Sequence, residues 1–387
     1  MYVLRLKKNN IILFLSIIII ILGQGIRTYL NDIIGVNVFN YHVFSLMIII
    51  FLILKNKSIN KMNLVLILTI TALITINFIL LRQNINNFIR SLISFILPLY
   101  ILLIDIKDLD ISYIFRKFIL YFNLLIYLSL SLDIFSFLST GQKFGLLGHS
   151  LTSGWYYCIF LVFNYLYCLY FKEKKDIFIF KDILISLIGT VLVTGRISML
   201  SALFLAFIYS KNCIKKRSIL CIFFPLFLVF FLSSDFVDNL IWDKFRYAAG
   251  WGDITNGRLL GIRQMIIWGI KPNFFYGGGI GYSNYITGYI FNTINFENPI
   301  LMFSFDYGIF IVILLLLLTL FTPIMIFLKF RNYKLVSVYI IIYLIPYTYN
   351  GLAESIGLFI VLMMIVFMFC ALNYEINNIR KCGEINE

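Results

Sequence analysis

Apolar runs long enough to cross a bilayer recur along almost the whole chain, separated mostly by short connectors. No other feature constrains the fold as strongly. About 20 apolar residues span the hydrocarbon core as a helix. Lipid offers backbone groups no partners, so a spanning segment must satisfy its own. Of 387 residues, 61% are hydrophobic and 13% are charged. That balance excludes a soluble domain and predicts an all-α polytopic membrane protein. Strand-like alternation is absent, which excludes a β-barrel.

Twelve transmembrane spans are expected, at 11–29, 39–54, 62–81, 88–104, 114–138, 153–171, 177–194, 197–210, 218–234, 300–328, 335–350 and 352–373. With both termini in the cytoplasm, every inner connector is basic, and the inner side holds 22 of the 32 Lys and Arg residues. This is the positive-inside rule holding along the whole chain. Arg5, Lys7 and Lys8 precede the first apolar run without a cleavage site after it, so that run is expected to stay as a span. Residues 1–387 thus form one integral membrane domain, with one large outer loop at 235–299. The inner connectors are too short for a nucleotide-binding domain and lack a phosphate-binding P-loop. The six cysteines show neither a disulfide framework nor metal-ligand spacing. No cofactor, metal or nucleic-acid partner is expected.

Arg196 lies in IGTVLVTGRISMLSALFLAFIYS, with apolar sequence on both sides. Charges inside membranes are rare and mostly functional. The stretch 183–210 is 28 residues, too long for one ordinary span and too short for two with a loop. It reads as two short helices meeting at Thr194, Gly195 and Arg196, with the cation near the outer face.

The outer loop carries NGRLLGIRQMIIWGIKPNFFYGGGIGYSNYI. Asn256 is a plausible helix cap, and Leu259, Leu260, Ile262, Met265, Ile266 and Trp268 give an amphipathic pattern bearing Arg258 and Arg263. The helix is expected to stop at Lys271 and Pro272. Gly277, Gly278, Gly279 and Gly281 then permit close backbone approach, and beside arginines such a loop suits phosphate oxygens. A plain surface loop with arginines on lipid headgroups is the competing reading. Other polar groups on the same side are His149, Glu297, Glu354, Asp133 and Asp306. His149 suits either proton transfer or an interfacial hydrogen bond. Each carboxylate suits pairing with an arginine; together they make a polar cluster that packing alone does not require.

Four segments in order, GLLGHSLTSGWY, VLVTGRISMLSALFLAF, NGRLLGIRQMIIWGIKPNFFYGGGIGY and ENPILMFSFDYGIF, resemble the O-antigen polymerase/ligase superfamily. Its members are the Wzy polymerases and WaaL-type ligases of bacterial surface polysaccharide assembly. The resemblance covers roughly 140–330. It implies a metal-independent glycosyltransferase of the bacterial cytoplasmic membrane with no cofactor. Its substrates would be undecaprenyl-pyrophosphate-linked glycans held at the bilayer, with a chain-length regulator as a further partner. An acceptor hydroxyl attacks the anomeric carbon of the donor, and lipid pyrophosphate leaves. The resemblance casts Arg196 and Arg258 as pyrophosphate clamps and Glu297 or His149 as the proton acceptor. Arg263, Gly277, Gly279, Gly281 and Glu354 are cast as substrate-binding. The ligase branch relies on a histidine where this chain has Glu297, which favours a polymerase. A ligase and a lipid-linked oligosaccharide flippase are the rival readings; against the flippase, the single large loop breaks any repeat symmetry.

Overall fold

The computed structural model describes residues 61–103, 111–140, 144–147, 150–171, 176–193, 196–213, 258–292, 296, 298–348, 352 and 357–384. Among these the chain is almost wholly helical and has no strand. Among the described residues three helices are long and apolar enough to cross a membrane: α1 (Lys61–Leu80), Ile119–Thr140 and Ile309–Lys329. The expected spans 11–29, 39–54 and 218–234 lie outside the described residues.

After α1 come α2 (Ile85–Ser91) and α3 (Ile111–Thr140), then α4 (Ser150–Phe171). α4 is the centre of the bundle. Every residue from 152 to 166 is buried, including Trp155, Tyr156 and Tyr157. A helix apolar all round belongs in an interior. It packs against α3, α5 (Asp176–Leu192) and α6 (Arg196–Cys213). Two contacts tie its polar groups to neighbours: Asn164 and Asn123 exchange amide hydrogen bonds at 3.0 Å, and Ser186 donates to the Tyr157 carbonyl at 3.0 Å. Close approach requires small residues. A Cβ at Gly189 would come within 2.4 Å of the Tyr157 ring. α5 ends at Leu192 and α6 begins at Arg196, so the helix break falls where the length of 183–210 places it.

The second half holds α7 (Arg258–Trp268), α8 (Tyr282–Tyr285), α9 (Pro299–Tyr307), α10 (Ile309–Leu316), α11 (Thr322–Lys329), α12 (Tyr333–Leu344) and α13 (Gly357–Glu384). α7 stops at Trp268, before Pro272, because Gly269 takes a left-handed φ of 62°. Glycine just past a helix end does this without a Cβ penalty. Asn298 caps α9, its side chain accepting from the amides of Ile300 and Leu301, with Pro299 in the first turn.

The expected single span 300–328 is broken. Gly308 sits at φ 98°, and α9 and α10 meet there as separate helices. Two π turns, Leu92–Ile96 and Leu317–Phe321, each precede a proline, Pro98 or Pro323. Proline has no N–H and its ring crowds the carbonyl four residues back, so a widened turn relieves both faults. The carbonyl freed ahead of Pro323 belongs to Thr319, and the buried Tyr339 hydroxyl donates to it.

Among the described residues two apolar cores result. The large one unites α1 through α6 with α9 to α13, with Phe303 and Tyr307 contributed by α9. A small one of Ile286, Phe291, Phe296, Met302 and Phe305 lies under the loop, with Met265 of α7 packed against it.

Candidate functional site

The break at Gly308 exposes the first amides of α10 and the last carbonyls of α9, and unpaired backbone groups of this kind must find partners. The glycine loop supplies them. Ile309 and Phe310 donate to the carbonyls of Asn273 and Phe274 at 3.0 and 2.8 Å. Gly278 and Gly279 donate to the carbonyls of Phe305 and Asp306 at 3.0 and 2.8 Å. This docking explains the glycines. A Cβ on Gly277 would lie 2.3 Å from the Asp306 carbonyl carbon. Gly279 and Gly281 adopt φ of 90° and 86°, open to glycine at little cost.

Asp306 is the anchor of the loop. Its carboxylate accepts from the Ser283 amide at 2.8 Å and the Gly281 amide at 3.3 Å. It is 4% exposed and lies ahead of the span Ile309–Lys329. Burial raises its pKa to about 6, against the lowering effect of those amide hydrogen bonds. The amides of Gly278, Gly279 and Gly281 therefore point into the protein. Phosphate oxygens would have to be met by side chains instead.

Those side chains line a cleft of about 480 Å³ beside the loop. Its lining includes Gly277, Gly278 and Phe305, Gln83, Asn84 and Asn87 of the α1–α2 connector, and Lys271, Asn273 and Tyr282. The Gln83 amide donates to the Gly277 carbonyl at 3.2 Å, tying the α1–α2 connector to the loop. Asn84 is also the cap of α2, accepting from Asn86. A cation and several amide groups, each both donor and acceptor, suit an anionic ligand rich in hydroxyls.

The four segments singled out in the sequence meet in pairs. Gly154 lies against Ser198, where a Cβ would stand 2.6 Å from Oγ, and Gly277 lies against Asp306. The 3₁₀ turn Ile345–Thr348 packs on α4, α6 and α9, bridging the two pairs at one end of the bundle. Asn77 near the end of α1 donates to the Tyr307 carbonyl at 3.4 Å. Asp133 accepts from the Gly145 amide at 2.9 Å and the Tyr157 hydroxyl at 3.4 Å.

Arg196 and Arg258 are the first residues of α6 and α7. Their side chains lie outside the described part, as do His149, Glu297 and Glu354. Arg263 is exposed on α7 and does not line the cleft. Positions 258 and 263 are about 140° apart around the helix axis, so they do not form one clamp face. Sequence reading passed over Gln83, Asn84 and Asn87. Their signal was a polar run, RQNINN, between two apolar stretches.

No protein-family model, no curated protein and no solved structure matches this chain.

Proposed function

We propose that the protein is a polysaccharide polymerase of the bacterial cytoplasmic membrane. It would join undecaprenyl-pyrophosphate-linked repeat units on the outer face, within a bundle of twelve spans whose termini are cytoplasmic. The observation that carries this reading is the cleft between the RQNINN connector and the loop docked at Gly308. It offers Lys271 and the amides of Gln83, Asn84, Asn87 and Asn273 at the mouth of a membrane-length helix. A lipid-linked substrate reaches such a mouth from the bilayer while its sugars stay in water.

In this reading the acceptor hydroxyl attacks the donor's anomeric carbon. The C–O bond to the pyrophosphate breaks, and the leaving lipid pyrophosphate carries the charge. Fixed cations stabilise developing negative charge most when they are already oriented. Arg196, at the start of α6, and Arg258, at the start of α7, are assigned that role, with Lys271 of the cleft as a third cation. Glu297 or His149 takes the acceptor proton.

The test is a gel of surface polysaccharide from a strain deleted for this gene and complemented with wild type, Arg196→Ala or Arg258→Ala. Single repeats without a ladder in the deletion and both variants support polymerisation. Full-length polymer retained on its lipid makes the protein a ligase. Repeats trapped inside make it a flippase.

A further inference from the structure

Tyr282, Tyr285 and Tyr289 form a row along the short helical segment that follows the glycine loop. The rings of Tyr282 and Tyr285 are 6.2 Å apart with planes 18° apart; those of Tyr285 and Tyr289 are 5.3 Å apart at 33°. Exposure rises along the row from 39% to 51% to 83%. The opposite face is fixed before any ligand arrives. Ser283, Ile286 and Thr287 are buried, and Asp306 holds the Ser283 amide. Tyr282 lies over Gly278, where a Cβ would stand 2.1 Å from the ring, so it belongs to the cleft wall. The row therefore starts inside the cleft and runs outward from it.

We propose that this row is a stacking track for the glycan chain entering the cleft. The inference rests on the polysaccharide reading above and names the part of the site that holds the sugars. A tyrosine ring offers a flat apolar face to the C–H side of a pyranose, and its hydroxyl pairs with ring substituents. Rigid, amphipathic rings give such contact area at low entropic cost. The ring spacing is close to the length of one sugar residue, and the cleft beyond supplies amide groups for hydroxyls. Lipid is the poorer occupant. The row contains no aliphatic side chain and is flanked by exposed Asn284 and by Gly288, around which a Cβ would meet open space. The aliphatic and indole surface of this loop sits elsewhere, on Ile266, Ile267 and Trp268.

The test titrates full-length protein in nanodiscs with size-fractionated oligosaccharides, released by mild acid from the surface polysaccharide of the parent strain. Tyr285→Ala/Tyr289→Ala should bind these about tenfold more weakly. Tyr285→Phe/Tyr289→Phe keeps the rings and should stay within about threefold of wild type. Tyr289→Ala alone, at the most exposed position, guards against misfolding of the pair and should show an intermediate loss. Absence of binding by wild type, or equal binding by the alanine pair, overturns the track. An alanine pair that alters only partitioning onto phosphatidylglycerol vesicles makes the row a membrane anchor and also overturns it. Chain length in cells separates the two ideas. An unchanged ladder in the deletion strain sinks the polymerase reading. A ladder lost in the deletion but intact in the alanine pair, with intact binding, sinks the track alone.

Discussion

The carboxylate of Asp306 holds the amide of Ser283 at 2.8 Å, 23 residues back along the chain, while the backbone of Asp306 receives Gly279. One residue thus anchors both the glycine loop and the segment after it. Its two oxygens serve different amides, Gly281 and Ser283. Asp306→Asn keeps one acceptor and should cost about 1 kcal/mol, and Asp306→Ala orphans both amides and should cost about 2–4 kcal/mol. Thermal unfolding of the full chain in detergent should rank them wild type, Asn, Ala.

The same carboxyl makes docking of the loop depend on pH. Burial lifts its folded pKa from 3.8 to about 6, so the folded state prefers the neutral acid. The stabilising contribution is complete below the unfolded value and is lost as pH rises through about 6. Wild type should therefore lose stability between pH 4 and pH 7, and the gap to Asp306→Asn should narrow over that window. A constant gap would show that Asp306 does not titrate there.

Gly277→Ala drives a Cβ to 2.3 Å from the backbone of Asp306, which has no rotamer to yield. The loop should undock at about 1–3 kcal/mol, read as faster chymotryptic cleavage at the exposed Phe275 and Tyr276. Gly288→Ala is the control. Its Cβ meets open space, and helix propensity should make it neutral to about 1 kcal/mol stabilising.

Tyr339→Phe removes the donor to the Thr319 carbonyl, which Pro323 cannot serve. The orphaned carbonyl should cost about 1–3 kcal/mol. Pro323→Ala restores an N–H to that turn. In that background Tyr339→Phe should cost markedly less, and strict additivity in the cycle would break the link between hydroxyl and proline.

Arg196→Lys keeps the charge but loses the planar fork that grips two phosphate oxygens. Under the polymerase reading it should shorten or abolish the polysaccharide ladder at matched protein levels. Wild-type ladder length in this variant removes Arg196 from the site.

Much of the helical pattern was legible because hydropathy reports the length of apolar segments directly. The expected 62–81 and 153–171 match the helices α1 and α4 to within a few residues, and α5 ends at Leu192 and α6 begins at Arg196, on either side of the expected junction. The break at Gly308 was not legible. Its flanks, FSFDY and IFIVI, are both largely apolar, and one glycine inside such a run is a common tolerated residue. Hydropathy carries no information about φ. The stop of α7 at Gly269 was hidden for the same reason, behind the louder signal of Pro272. The glycine cluster 277–281 was visible as a place of close approach, yet what approaches it is the protein's own backbone. That identity depends on a contact with residues 305–306, which no local pattern encodes. The cleft wall from RQNINN was missed because asparagine between spans reads as ordinary turn chemistry.

The small core beneath the loop has a thermodynamic consequence. Ile286, Phe291, Phe296, Met302 and Phe305 cluster apart from the main core, and the loop's backbone links to the bundle converge on the break at Gly308. Cooperative units in proteins follow such divisions. The stretch from Asn273 to Phe291 should exchange its amide hydrogens as one foldon, opening at a lower free energy than α4 while the bundle stays closed. Under the polymerase reading, substrate entry would then ask the protein to unfold nothing in its membrane-length helices.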